Sequence, residues 1–125
     1  SDVCSSDLHV SQSFAEAMVR RGRGHFIFLG SVASIRGYPG GLAYCAAKHG
    51  VLGLARAIRE ELKPAGVRVT TLLPGATWTP SWDGSGIAED RMMPADDIAT
   101  AVLDVYRMEG SVVEEVLLRP QLGDV

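Results

Sequence analysis

Three residues in the middle of this chain, Ser31, Tyr44 and Lys48, carry side chains that could handle a proton together. Tyr44 and Lys48 stand four residues apart in YCAAK, so on a helix they share one face. A free phenol titrates near about 10, too high for a base at neutral pH, so a phenolic base needs a positive charge beside it. An ammonium one helical turn away supplies it. Working the other way, the phenol would protonate an oxyanion while a serine hydroxyl stabilises the developing charge. Taken alone the pair is also an ordinary exposed helix surface, and a serine after a strand is also an ordinary cap. The elements around them have to decide.

Val10, Phe14, Ala17 and Met18 follow helical spacing and predict a helix over 9–22, closed by Arg20, Arg21 and Gly22. FIFLG at 26–30 is a continuous apolar run of the kind that forms a strand buried on both faces. Gly37, Pro39, Gly40 and Gly41 punctuate a loop, after which 42–63 predicts a long helix stopped by Pro64 and Gly66. One stripe of that helix is small (Ala43, Ala46, Ala47, Gly50, Gly53, Ala57) and another is apolar (Val51, Leu54, Ala55, Ile58, Leu62). One stripe is expected on the sheet, the other against a neighbouring helix or subunit. VRVTTLL at 67–73 predicts a second buried strand ended by Pro74 and Gly75, and 76–94 reads as a long loop or lid holding Trp78 and Trp82. A helix around Ile98 to Tyr106, with Asp96 and Asp97 as caps, and a strand at 112–118 complete the alternation.

Helix and strand in alternation define an α/β doubly wound parallel sheet, in which ligands sit at the carboxyl ends of strands. Ser31 follows the first strand directly, Tyr44 comes thirteen residues later, and PGATWT at 74–79 leaves the second strand at the same edge. Three polar groups therefore converge at one sheet edge, with Thr77 and Thr79 facing the same cleft. The rest of the composition narrows the field. A net charge of −3 from 12 basic and 15 acidic residues, without a basic stripe, argues against nucleic acid or a membrane surface as partner. Cys4 and Cys45 lie far apart with no histidine at metal-ligand spacing, which gives neither a disulfide framework nor a metal site and fits a reducing, cytoplasmic setting. Cys45 reads as a small packing residue, and His9, His25 and His49 have no partners in sequence.

GHFIFLGSVAS, AYCAAK, GVLGLARAIREEL and GVRVTTLLPG with its following threonine resemble, in order and spacing, the catalytic half of the short-chain dehydrogenase/reductase family. The motifs run from Gly24 to Thr79 and the likeness covers 9–125. It implies the carboxyl-terminal part of a Rossmann-like sheet and an enzyme transferring hydride between NAD or NADP and a small carbonyl or alcohol. Tyr44 would be the acid/base, Lys48 its electrostatic partner and ribose contact, and Ser31 the holder of the substrate oxygen. The resemblance further implies cofactor contacts at Tyr44, Lys48, Pro74, Gly75, Thr77 and Thr79, and a homodimer or homotetramer in the full-length protein. An extended-type epimerase or dehydratase, a sensor with a degenerate site and a non-catalytic binding module remain open beside it.

The likeness breaks at the amino-terminal end. No glycine-rich phosphate loop follows a first strand, so the dinucleotide half is expected to be missing. The family's structural asparagine would fall on Val3. Residues 1–8, SDVCSSDL, match the conceptual translation of the end of a common sequencing adapter and are expected to be a non-native scar before a partial domain at 9–125. The alternative is a native loop entering a helix, with Asp7 as its N-cap.

Overall fold

The structure, a computed structural model, describes residues 2–125, the side chains of residues 2–4 excepted. The readings that rest on Val3 and Cys4 lie outside the described side chains. The elements run α1 (Asp2–Arg21), β1 (Gly24–Leu29), α2 (Leu42–Leu62), β2 (Val67–Pro74), α3 (Ala95–Arg107) and β3 (Glu115–Leu118). The strands form one parallel sheet in the order β1-β2-β3, with Ile27 opposite Thr70 and Leu72 opposite Val116. This is the α/β architecture expected from the alternation of periods.

β2 is the centre of that sheet, and Val69, Thr70, Thr71 and Leu72 have no solvent exposure. The apolar stripe of α2 lies against it, so that Val51, Ala55, Phe28 and Val69 make the core with Phe26 and Ile58 at its margin. The small stripe faces outward: Ala43, Ala46, Gly53 and Ala57 are exposed. At its far end α2 is tied to β3 by a bidentate pair, Arg56 Nε to Glu115 Oε1 at 2.6 Å and Nη2 to Oε2 at 3.1 Å. The hydrogen bond from Arg56 holds the Glu115 carboxyl below its ordinary range.

Five expectations are corrected. α1 starts at Asp2, so the residues expected to precede it continue it, and Asp7 is inside the helix with its carbonyl accepting from Ser11 Oγ at 2.6 Å. β1, expected to be buried on both faces, lies at the edge of this sheet, where only Phe28 is buried and Leu29 is exposed. The inward face of α1 holds Ser11. Ser11 is 4% exposed, whereas Val10 and Phe14 are 56% and 57% exposed. Ser11 and Ala15 share a small pocket with Ile58 and Leu62 of α2, because short side chains let the two helices come close. β3 covers only 115–118, since the Val113 carbonyl is taken by the Thr70 hydroxyl (2.6 Å) instead of by the ladder. Asp96 and Asp97 stand in the first turn of α3 without capping it, and act only through the helix dipole.

At the amino ends of the strands, His25 has a partner that sequence did not show. The Thr70 hydroxyl donates to Val113, so it accepts from His25 Nε2–H at 2.7 Å, and Nδ1 is buried without a partner. Tyr106 stacks on the ring at 6.2 Å. Burial, and then the neighbouring Arg68 charge, lower the His25 pKa from 6.5 to about 4. The neutral ring therefore contributes stability that is complete above pH 6.5 and is lost as pH falls through about 4. After allowance for solvent screening at this half-open site, the loss is on the order of 1–2 kcal/mol. Urea midpoints between pH 7 and 4 should fall more steeply for the wild type than for His25→Asn, and parallel slopes would refute the assignment.

Candidate active site

The carboxyl end of the sheet is built from two strand exits. β1 ends at Leu29, and Gly30 N–H still donates to the Leu72 carbonyl at 2.8 Å, so the ladder holds the chain up to the residue before Ser31. Ser31 then caps a 3-10 turn, Val32–Ser34. Its Oγ accepts from Ala33 N–H at 3.1 Å, and its own N–H donates to Ser34 Oγ at 3.2 Å. This reciprocal box fixes the serine where the strand delivers it. A side chain at position 30 would crowd the turn, because a Cβ there would lie 3.0 Å from Ser34 Oγ and 3.1 Å from Leu73 Cδ2.

The other exit is Pro74–Gly75. Gly75 N–H donates to the Leu118 carbonyl at 2.7 Å, and a Cβ on it would stand 3.2 Å from Pro120 Cδ. The glycine thus lets the segment after β3 cross close to the site. Beyond it, Met93 N–H donates to the Ala76 carbonyl at 2.9 Å, and Trp78 N–H donates to the Met93 carbonyl at 2.8 Å. The ends of the 76–94 loop are thereby pinned together, and the loop carries two short turns, Pro80–Trp82 and Glu89–Arg91.

Between the exits lies a cleft of about 350 Å³. Ser31, Tyr44, Pro74, Gly75 and Thr77 all line it, so five of the seven site residues expected from sequence are brought together. Tyr44 projects from the first turn of α2 and is 54% exposed. Lys48 stands one turn on with Nζ 5.8 Å from the Tyr44 ring centroid, beside the cleft and not among the residues lining it. Thr77 donates its hydroxyl to the Gly75 carbonyl at 3.0 Å. Thr79 lies outside the lining, exposed, with its Oγ1 2.6 Å from Ser81 Oγ. Cys45 is free and buried, as a packing residue would be.

Sequence reasoning missed Tyr38 and the pair Asp124 and Val125, which line the same cleft, while of the two loop tryptophans Trp82 lines it and Trp78 borders a neighbouring pocket. Tyr38 sits in a glycine-rich loop without periodicity, so nothing local marked it. Among the described residues no group of side chains could hold a metal ion, and no helix is long and apolar enough to cross a membrane.

The parallel α/β sheet thus carries a serine at one strand exit, a Tyr/Lys helix beside it and a Pro-Gly exit next door, at the sheet edge where such folds bind ligands. The chain belongs to the short-chain dehydrogenase family, whose model matches residues 4–89. It is 36% identical over 121 residues to a sepiapterin reductase of Chlorobaculum tepidum, covering 93% of this chain and 48% of that protein. Among solved structures it is similar to a serine dehydrogenase of Escherichia coli, with a TM-score of 0.80, 26% identity and coverage of 94% and 50%. An alcohol dehydrogenase of Thermococcus sibiricus, complexed with 5-hydroxy-NADP, superposes with a TM-score of 0.75 and 29% identity over 89% and 47% of the two chains. The chain spans about half the length of the curated relatives it matches.

Proposed function

We propose that the chain is the catalytic half of an NAD(P)-dependent oxidoreductase acting on a small carbonyl or alcohol. The observation that carries this reading is the convergence of Ser31 and Tyr44 on one cleft with the Lys48 ammonium over the Tyr44 ring. The residues present fit the nicotinamide end of the cofactor. Tyr44, Lys48 and the 74–77 backbone, kept slim by Gly75, would hold it, with Thr79 further out on the loop. When bound, the nicotinamide supplies or accepts the hydride. Ser31 holds the substrate oxygen, Tyr44 gives or takes its proton, and Lys48 places positive charge beside the phenol. Two family-level facts support this over a non-catalytic module: relatives named as reductases and dehydrogenases, and retention of all three side chains.

Residues 1–8 are proposed to be a non-native scar before a partial domain at 9–125, and the missing upstream half to carry the phosphate-binding loop. The 125-residue chain alone should then show no saturable binding of NADH or NADPH by calorimetry, because phosphate binding needs backbone N–H groups at a helix start after the first strand. A micromolar dissociation constant would contradict this. The protein completed with its upstream coding sequence should oxidise one of these nucleotides in the presence of a carbonyl substrate, and failure with both across a ketone panel would sink the reading.

The completed protein is proposed to be a cytoplasmic homodimer or homotetramer formed through α1 and α2. Val10 and Phe14 of α1 and Ala57 of α2 are exposed, and Gly53 has nothing within 4 Å of where a Cβ would be. An apolar and small surface of this kind calls for a partner, and closed symmetry supplies a second copy. Sedimentation should show an oligomer that Ala57→Arg dissociates. A wild-type monomer at tens of micromolar, or an unchanged oligomer in the variant, would refute the arrangement.

A further inference from the structure

The segment after β3 reaches the cleft, and three arginines from three different parts of the chain meet on one of its residues. Asp124 Oδ2 receives Arg36 Nη1 at 3.1 Å and Arg119 Nη2 at 3.0 Å, while Arg91 Nη2 reaches the Asp124 carbonyl at 3.4 Å. Arg36 follows the turn that Ser31 caps, with only Ile35 between it and the turn's last residue. Arg91 closes the second short turn of the 76–94 loop, and Arg119 is the first residue past β3. The Nε atoms of Arg91 and Arg119 are buried without partners. Asp124 and Val125 in turn line the same cleft as Ser31, Tyr44 and Trp82.

We propose that Asp124 is the pin of a latch that holds the tail across the cleft and thereby sets the size of substrate admitted, an inference that rests on the hydride-transfer reading of this site. The chemistry suits a latch. One carboxylate shared by two guanidinium groups fixes position through directional bonds. The pairs are half open to solvent, with side-chain exposures of 45% for Arg36, 32% for Asp124 and 29% for Arg119. Such pairs are individually weak and screened by salt, so the tail is held in place yet released at small cost. Released, it takes Asp124 and Val125 out of the wall, and the cleft opens beyond its 350 Å³. Asp124 acts through the tail, as a positioning residue and not as one that handles the proton.

The test uses the completed protein and two readouts. In a Trp78→Phe background the remaining Trp82 reports on the cleft wall, and acrylamide quenching of its fluorescence should rise in Asp124→Asn and stay at the wild-type level in Asp124→Glu. Across a series of ketones of increasing bulk, Asp124→Asn and Arg36→Gln should each raise the ratio of kcat/KM for the bulkiest over the smallest by about tenfold, the scale on which an apolar pocket discriminates size. High salt should move the wild type the same way, with kcat on the smallest ketone unchanged. Quenching and size profile that both stay at wild-type values in Asp124→Asn overturn the latch, as does a rise in quenching with an unchanged profile. Absence of turnover in the unmutated protein counts against the hydride-transfer reading instead, and quenching alone then decides whether Asp124 holds the tail.

Discussion

Replacing Tyr44 with phenylalanine in the completed protein is expected to lower kcat by about 10²- to 10⁴-fold, the contribution of a positioned acid/base, and to leave nucleotide affinity within a few fold. The substitution removes one oxygen. The ring stays where α2 puts it, with the Lys48 ammonium 5.8 Å from its centroid, because that contact needs the aromatic face and not the hydroxyl. Ser31 keeps its place too, since its capping box uses Ala33 and Ser34 and makes no contact with position 44. What is lost is the proton donor at the developing oxyanion. Steady-state kinetics with NADH and NADPH decide the matter: near-wild-type turnover in Tyr44→Phe removes the acid/base role. A variant with intact circular dichroism, intact nucleotide binding and collapsed kcat supports it.

The parts of the fold that sequence exposed are those set by strong local rules. α2 was legible to within a residue because glycines precede it and Pro64 follows it, and the positions of β1 and β2 because continuous apolar runs of that length have few other uses, although only β2 is buried along its length. Ser31, Tyr44 and the Pro-Gly exit were legible for a related reason: each is fixed by the end of one element, and a parallel sheet puts those ends together. α1 shows the limit. Val10 and Phe14 have faultless helical spacing, but periodicity reports that a helix has a face and not which neighbour covers it. The inward face is made of Ser11 and Ala15, whose small size suits close packing and whose polarity or brevity hides them from a hydrophobicity pattern.

The illegible parts of the fold and of the site are contacts between residues distant in sequence with no local signature. Arg36 and Asp124 are 88 positions apart, and His25 and Thr70 are 45 apart. No spacing rule joins such pairs. A charged residue in a loop looks the same whether it points to water or to a counterion across a cleft. Lys48 illustrates a finer limit, since i+4 spacing put it on the face of Tyr44 correctly but could not say that its ammonium would stand over the ring and outside the cleft lining.

The largest stability effect is expected from Leu72→Ala, at about 2–5 kcal/mol, the range for deleting a buried leucine side chain whose site cannot collapse. Leu72 has no solvent exposure and sits on the central strand, opposite Leu29 on one side and Val116 on the other. Ladders on both sides hold the backbone around the vacated space, so relaxation into the cavity is opposed. Its carbonyl also receives Gly30 N–H, the last ladder bond before Ser31, and Pro74–Gly75 follows two residues later, so loosening here reaches both strand exits that form the cleft. Against a total stability of roughly 5–15 kcal/mol for a domain, such a loss is a large fraction. Leu117→Ala on β3 provides the contrast: that side chain is 50% exposed, and its removal should cost less than about 1 kcal/mol. Urea unfolding of both variants in the completed protein separates the cases, and a Leu72→Ala loss no greater than that of Leu117→Ala would show that the centre of the sheet is not where the stability of the site resides.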